Sequence, residues 1–523
     1  MRRLTFEVTE RVAPTAPERM DVALFVGFVR RRPGAPVPPA LSRYLFEQGW
    51  MTAPTLRVDP SDAQAPLTDV PLPFESFSAF ERLFDWRART GAPPDEFTSL
   101  GAAVQAFFVQ GGRKCYVVRM ADPLAPVAER ATRLERLNLL LPGTRLPAPS
   151  GMEHAAAATD RASWHGAAHV FGLQDVSFLC LPDLPELVAD APEPLPTPRL
   201  PPAGAPGFVE CATDGAAAEP AWRTPERSAP RCGHAAYLDW AAFLAAMATL
   251  LRDRNLRETH LVAALPLPSA SLAFDTPSGK RAATQDLGGF LNAANVLVPV
   301  QSAFIQLAFP WLRTASSDGL PERLAAPDGA LAGVLARNAL LRGTFRSALG
   351  LGLAEVRDVF PIPTRLDQTP REPGSQPRAL SERVSLLGPT PRGMQVLSDV
   401  TSSPVGSHRQ ASVSRLVSSV LRAARQLGTD LAFAPSNEDT WRSLRYRMES
   451  VLGRYFAEGA LRGATPGDAF TVRCDRTTMT QDDLDNGRLI AMVELAPATA
   501  VERIQVLLSA LEGSVSLQQE EAA

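Results

Sequence analysis

Thiols are few and scattered. The five cysteines (Cys115, Cys180, Cys211, Cys232 and Cys474) are odd in number, and none stands in CxxC spacing. That removes a disulfide framework and a thiolate zinc site from consideration. Three of them lie in apolar, strand-like runs, where reduced, buried thiols suit a chain made in the cytoplasm. Lysine is nearly missing: Lys114 and Lys280 are the only two. Arginine supplies the rest of the 53 basic residues, against 56 acidic ones, and the formal net charge is -3. No overall basic footprint for nucleic acid follows from that balance. The opening MRRLTFEVTE has two arginines but no apolar signal core, and no later run has the length of a membrane span. A soluble protein with no direct membrane insertion is expected.

The usual marks of chemistry are missing too. Ser278-Gly279-Lys280-Arg281 lacks the upstream glycine of a phosphate loop, position 274 being Phe, and lacks the following Ser or Thr. Gly350-x-Gly352 has no third glycine for a dinucleotide fingerprint, and no GxSxG elbow is present. His165 and His169 are four apart in SWHGAAH, yet no HExxH and no cysteine or carboxylate at a suitable spacing completes a metal site. Asp482 to Gly487 hints at a calcium loop, but Leu484 sits at its third position and Val493 at its twelfth, where oxygen ligands belong. No catalytic, cofactor-binding or metal residue is therefore assigned.

What is present is core material. The chain has 523 residues, 45% of them hydrophobic, enough for two to four domains. Apolar runs at 21–29, 115–120, 176–181 and 259–265 read as strands covered on both faces. Helical patterns at 99–109, closed by Gly111-Gly112, and at 239–253 fall between them. Alternating strands and helices imply an α/β layer, helices packed on a largely parallel sheet. Pro-rich stretches near 182–230 and 361–384 are poor core material and read as surface excursions. Before all this, Leu4, Phe6 and Val8 alternate ahead of Pro14 and Pro17. A chain end of this kind either frays or lends a strand to a neighbour's sheet.

The stretch from Pro435 to Leu508 is the most structured in its pattern. Ser436 and Asn437 are N-cap residues, and Glu438 and Asp439 suit the first turn of a helix. Trp441, Leu444, Met448, Val451, Leu452, Tyr455 and Phe456 then recur at helical spacing, and Gly459 ends the helix. Arg442, Arg445, Arg447 and Arg454 fall off the apolar face and should look outward. Phe470, Val472 and Cys474 alternate with polar residues as a half-buried strand. A polar loop ends in the turn dipeptide Asn486-Gly487, and Arg488 to Leu495 forms the next strand, stopped by Pro497.

Several motifs of this stretch occur in one order: Gly459-Ala460-Leu461, Gly463, Phe470, Val472-Arg473-Cys474-Asp475, Thr477-Thr478, Asp482, Asp485-Asn486-Gly487 and Ala496-Pro497. In that order they resemble the C-terminal domain of contractile phage tail sheath proteins. Upstream, Leu24-Phe25-Val26-Gly27, then Leu100 to Val104 with Phe107-Phe108, Gly111-Gly112 and Tyr116 to Arg119, are similar to the same family. So are Phe309-Pro310-Trp311, Pro327-Asp328-Gly329, Ala332-Gly333, Ala336-Arg337 and Gly343. The likeness is thinnest at 130–165, 190–235 and 361–395. Three departures stand out. The family's N-terminal opening is missing, Arg415-Leu416 replaces a paired-arginine motif, and Ser398-Asp399-Val400-Thr401 replaces a tryptophan-glycine turn and an arginine-threonine pair.

The resemblance implies a multi-domain sheath fold, α/β with α+β character. An N-terminal arm (1–20) would precede the main α/β region (21–384), then a small C-terminal α/β domain facing the tube (385–512) and a C-terminal arm (513–523). It implies a structural subunit and no enzyme, polymerising with itself as stacked hexameric rings around an inner tube. Baseplate and terminator or cap proteins would be its further partners, in a phage tail or related contractile injection particle. Leu4, Phe6, Val8, Val515 and Leu517 would carry the arms that add strands to neighbours, and Arg442, Arg445, Arg447 and Arg454 would meet the tube. A minor sheath paralogue capping or initiating the polymer is the nearest alternative; an α/β enzyme or an adaptor is a remote one.

Overall fold

The computed structural model of the chain describes residues 20–89, 96–126, 128–143, 157–192, 227–253, 258–277, 279–368, 379–431, 434–435, 437–498, 504–511 and 514–519. Its centre is strand β1 (Val22–Phe28), apolar at every position because both of its faces are covered. Val22, Leu24, Val26 and Phe28 enter one core, while Ala23 and Phe25 enter another on the opposite side. Around it lie β2 (Pro71–Phe74), β3 (Lys114–Ala121), β4 (Val176–Cys180), β5 (His260–Ala264), β6 (Ile305–Phe309), β7 (Ser385–Thr390) and β8 (Gly393–Val396). The spatial order is β8-β7-β6-β5-β4-β1-β3-β2. Strands β7 through β3 run parallel, and only the two edge strands are antiparallel to their neighbours. The sheet is thus mixed and mostly parallel, as the buried apolar runs imply.

One face carries α2 (His234–Asp253), with Tyr237, Trp240, Phe243, Leu244 and Met247 fully buried. It begins five residues ahead of the expected Asp239, and the Tyr237 hydroxyl donates to the Pro266 carbonyl at 2.7 Å. Contrary to the sequence expectation, this helix is long and apolar enough to cross a membrane. It is instead the main core helix on this face of the sheet. The other face carries α1 (Ser99–Val109) and α3 (Asp328–Leu341). These two approach so closely that a Cβ on Gly329 would lie 2.4 Å from the Ala103 carbonyl oxygen. A Cβ on Gly333 would lie 2.5 Å from that of Phe107. The glycines are backbone-contact positions, i and i+4 on one helix face.

Both edges of the large sheet are closed. On β2, Pro71 and Pro73 have no N–H to offer a further strand. On β8 the neighbouring segment takes the free groups: the Gly350 N–H donates to the Val396 carbonyl at 2.8 Å, and the Val396 N–H to that of Leu351 at 3.0 Å.

A third core lies beyond. It gathers α4 (Ala411–Asp430), α5 (Glu438–Ala457), β9 (Phe470–Arg473) and β10 (Leu489–Leu495). With β11 (Ile504–Leu511) and β12 (Ser514–Gln519) they complete an antiparallel sheet in the order β9-β10-β11-β12. The Asn437 side chain accepts the Thr440 N–H at 2.9 Å at the start of α5, and Gly459 has the positive φ of +77° that ends it. Two details differ from the sequence pattern. Residues 385–396, placed with the C-terminal domain by sequence, form β7 and β8 of the large sheet. The polar loop before β10 holds a short helix, α6 (Gln481–Asp485), started by a Thr480/Asp483 capping box. Asn486 and Gly487 close that helix and do not form a hairpin turn.

Gly333→Leu should destabilise the chain by at least about 2–3 kcal/mol, because the added side chain meets backbone on α1. Gly453→Ala on α5, with nothing near its Cβ position, should be neutral or stabilising by up to about 1 kcal/mol. Urea unfolding of the two variants checks the contrast.

Candidate functional site

Helix α4 is buried on two sides and joins the large sheet to the third core. Val413, Leu416, Val417, Val420, Leu421 and Ala424 recur at three/four spacing and pack against Trp441, Leu444 and Met448 of α5. A second stripe, Arg415, Ser418, Arg422 and Arg425, faces the amino ends of the large sheet's strands. The Arg422 guanidinium donates to the Val176 carbonyl at 2.6 Å and to Ser177 Oγ at 3.0 Å. Arg425 pairs with Glu258 at 2.8 Å, and Ser418 Oγ lies 2.8 Å from His260 Nε2.

Arg415 anchors this seam. It is among the largest fully buried side chains, and its two terminal nitrogens meet both oxygens of buried Asp399 at 3.0 and 2.7 Å. The Ala348 N–H (2.7 Å), Gln306 Nε2 (2.9 Å) and the Ser347 hydroxyl (3.1 Å) also donate to the carboxylate. Burial pushes the Asp399 carboxyl up, but Arg415 and these donors outweigh it and hold the group below the usual carboxylate range. Burial, helped by the Arg415 charge, lowers the His260 imidazole to about 3, so it stays neutral. Two sequence departures noted separately, at Asp399 and Arg415, are therefore partners of each other. The 415/418/422/425 spacing was the available signal for this seam. Polar residues at helical spacing look like a solvated face until a second body is known to cover them.

The outward arginines stand as the α5 pattern requires. Arg442, Arg445 and Arg447 have side chains 65%, 45% and 47% exposed, loosely paired with Asp439 (3.4 Å), Glu449 (3.7 Å) and Asp430 (3.8 Å). Arg454 is exposed too, and Tyr446 stands beside the first three at 73% exposure. Such pairs contribute little and exchange readily. Leu4, Phe6 and Val8 lie outside the described residues. Val515 and Leu517 lie on β12, opposite Ala510 and Leu508 of the same chain.

His165 and His169 do converge, on Asp69 and not on each other. The His169 Nε2 is 3.0 Å from one carboxyl oxygen, while Arg57 at 2.8 Å and the His165 ring nitrogen meet the other. In doubly wound sheets ligands bind where strand order reverses, here beyond the ends of β1 and β4. Side chains fill that crevice. Asp183 accepts the Phe28 N–H at 2.8 Å, and Arg89 is clamped between Glu186 and Glu96. Beside Phe28 and Asp183 a cavity of about 20 Å³ remains, room for a single water, and one of about 50 Å³ lies on the other side of Arg89 and Glu186.

The fold has known counterparts. A chain in the six-fold symmetrised baseplate of the anti-feeding prophage is similar with a TM-score of 0.52 and 16% identity, over 96% of this chain and 97% of that one. The helical sheath of the anti-feeding prophage in its contracted state gives 0.50 and 17%, over 93% and 91%. The contracted sheath complex of PVC, an extracellular contractile injection system, gives 0.50 and 15%, over 95% and 94%. No family model and no curated protein matches the chain. The likeness is one of fold: this chain shares its fold with these baseplate and sheath chains over 93–96% of its length.

Arg415→Met should cost about 3–5 kcal/mol, since it strands a buried carboxylate, and Arg415→Met with Asp399→Leu should recover part of that. Urea unfolding of the single and double variants measures it. The pH dependence has a definite sign. His260 and Asp399 both have lowered folded-state values, so each contributes stability above its ordinary value that is lost as pH falls through the folded one. Stability should therefore decline from pH 6.5 towards about 3. His260→Gln should flatten that decline by on the order of a few kcal/mol.

Proposed function

We propose that this chain is a structural subunit of a contractile sheath, polymerising around an inner tube and shortening to drive that tube through a target envelope. The single observation that carries the proposal is that the likeness in fold to baseplate and sheath chains covers 93–96% of this chain. On this reading the chain is made in the cytoplasm and becomes part of a phage-tail or injection particle. Its partners are other copies of itself in stacked hexameric rings, the inner tube, the baseplate and a terminator.

The distribution of sheet edges supports the same reading. The large sheet is closed by prolines on one side and by a covering segment on the other. Among the described residues the small sheet has no such closure, and arms carrying Leu4, Phe6 and Val8 or Val515 and Leu517 would dock there. Residues 385–512 are proposed as the tube-facing domain, less the two strands at 385–396 that belong to the large sheet. Arg442, Arg445, Arg447 and Arg454 would meet acidic groups on the tube by trading their present weak partners.

Contraction then needs no hydrolysis. Each copy re-seats between two lattices, and a small difference in buried area per copy adds up along a linked array. Co-expression with the tube protein should yield striated tubes or empty contracted cylinders by electron microscopy. Deleting residues 1–12 should leave a folded monomer by circular dichroism and abolish those cylinders. Intact cylinders from the deleted chain would refute the N-terminal arm assignment.

A further inference from the structure

Asp69, just ahead of β2, ties residues 157–172 to the large sheet. Its own N–H donates to the Arg119 carbonyl on β3 at 2.7 Å. Its carboxylate takes four donors. The Gly166 N–H (2.9 Å) and His169 Nε2 (3.0 Å) meet one oxygen, and Arg57 (2.8 Å) and the His165 ring meet the other. Gly166 is held at a φ of +54°, where a Cβ would lie 2.3 Å from the Leu140 carbonyl oxygen. Trp50 packs on the His169 ring with 5.1 Å between centroids, and Arg161 and Arg57 lie over Trp50.

The His169 side chain is buried, and a carboxylate can only accept, so the neutral ring carries its proton on Nε2. Among the described residues nothing reaches its Nδ1. A proton added there would be a buried donor with no acceptor, on a ring whose other nitrogen lies 3.3 Å from Arg57. Asp69 is already shared among four donors. Charged groups of the neighbouring elements are engaged elsewhere. Arg119 meets Asp122, Lys114 and Tyr116 meet Asp175, and Arg130 meets Asp190 and Asp239. Arg133 donates to backbone carbonyls, Arg136 lies over Phe28, and Glu135 is exposed. Burial, with Arg57 and His165 beside it, outweighs the pull of Asp69 and holds the His169 imidazole below its ordinary value. Burial pushes the Asp69 carboxyl up, but His169, Arg57 and the Gly166 N–H outweigh it, so the carboxylate stays charged in mild acid.

We propose that this cluster is an acid-released clasp: residues 157–172 are fastened to the large sheet at neutral pH and let go in mild acid, ahead of the rest of the fold. Release uncovers the strip of the first core that Ala167 and Val170 cover. The device is complete within one chain and does not rest on the sheath reading. Because the folded-state value of His169 lies below the ordinary 6.5, the closed form is fully favoured above that pH. Below it, the closed form loses up to about tenfold per pH unit.

Hydrogen exchange of the full-length chain, corrected for the intrinsic pH dependence of amide exchange, is the test. Opening of residues 157–172 should rise at least about tenfold between about pH 7.5 and 5.0, and should stay faster than opening of β5. His169→Gln keeps an N–H for Asp69 but cannot titrate, and should cut that rise to less than about twofold. Unchanged opening in the wild-type chain, residues 157–172 that open only together with β5, or a full rise in a folded His169→Gln chain would each overturn the clasp. The first two outcomes are read on the wild-type chain and decide the matter if the variant does not fold.

Discussion

The molecule hangs on a helix with two buried sides. Its apolar stripe builds the small C-terminal core, and its polar stripe seals that core to the large sheet. The ion pair at the centre, Arg415 with Asp399, is fully enclosed and nearly saturated with hydrogen bonds. A buried pair of this kind adds little net stability compared with apolar residues of the same size, but either half alone is strongly unfavourable. It therefore specifies one way of joining the two bodies.

The same economy governs the sheet edges. A strand edge with unpaired backbone groups can pair with another chain. Prolines at one edge of the large sheet and a covering segment at the other guard against that. The crevice at the strand-order reversal is closed as well. Arg89, Glu186 and Asp183 occupy the space a ligand would need, and burial beside Glu186 pushes the Asp183 carboxyl up to about 8.

Elements whose patterns depend only on near neighbours were legible. The run at 22–28 announced a strand covered on both faces, and the capped, three/four-spaced run after Asn437 announced α5 with its outward arginines. Gly329 and Gly333 stood out only as part of a resembling run, and their backbone contacts with α1 emerged from the packing. Where two local signals compete, the chain was harder to read. Asn486-Gly487 suits both a hairpin turn and a helix end, and the capping box at Thr480 decided for the helix. The stretch at 385–396 is short and follows a Pro-rich excursion, so nothing local assigns it to the distant sheet it joins.

By itself the sequence determined the main buried strands and the capped C-terminal helix, which faces of them are apolar, and that no common catalytic motif is present, because these depend on spacing along one chain. Tertiary structure decided what each polar residue is for. Arg415 and Arg442 both sit off an apolar helix face and look alike in the sequence, yet one is sealed against Asp399 and the other lies open to solvent. The difference is whether a second body covers that face, and burial of that kind is set by residues 16 to 247 positions away in the chain.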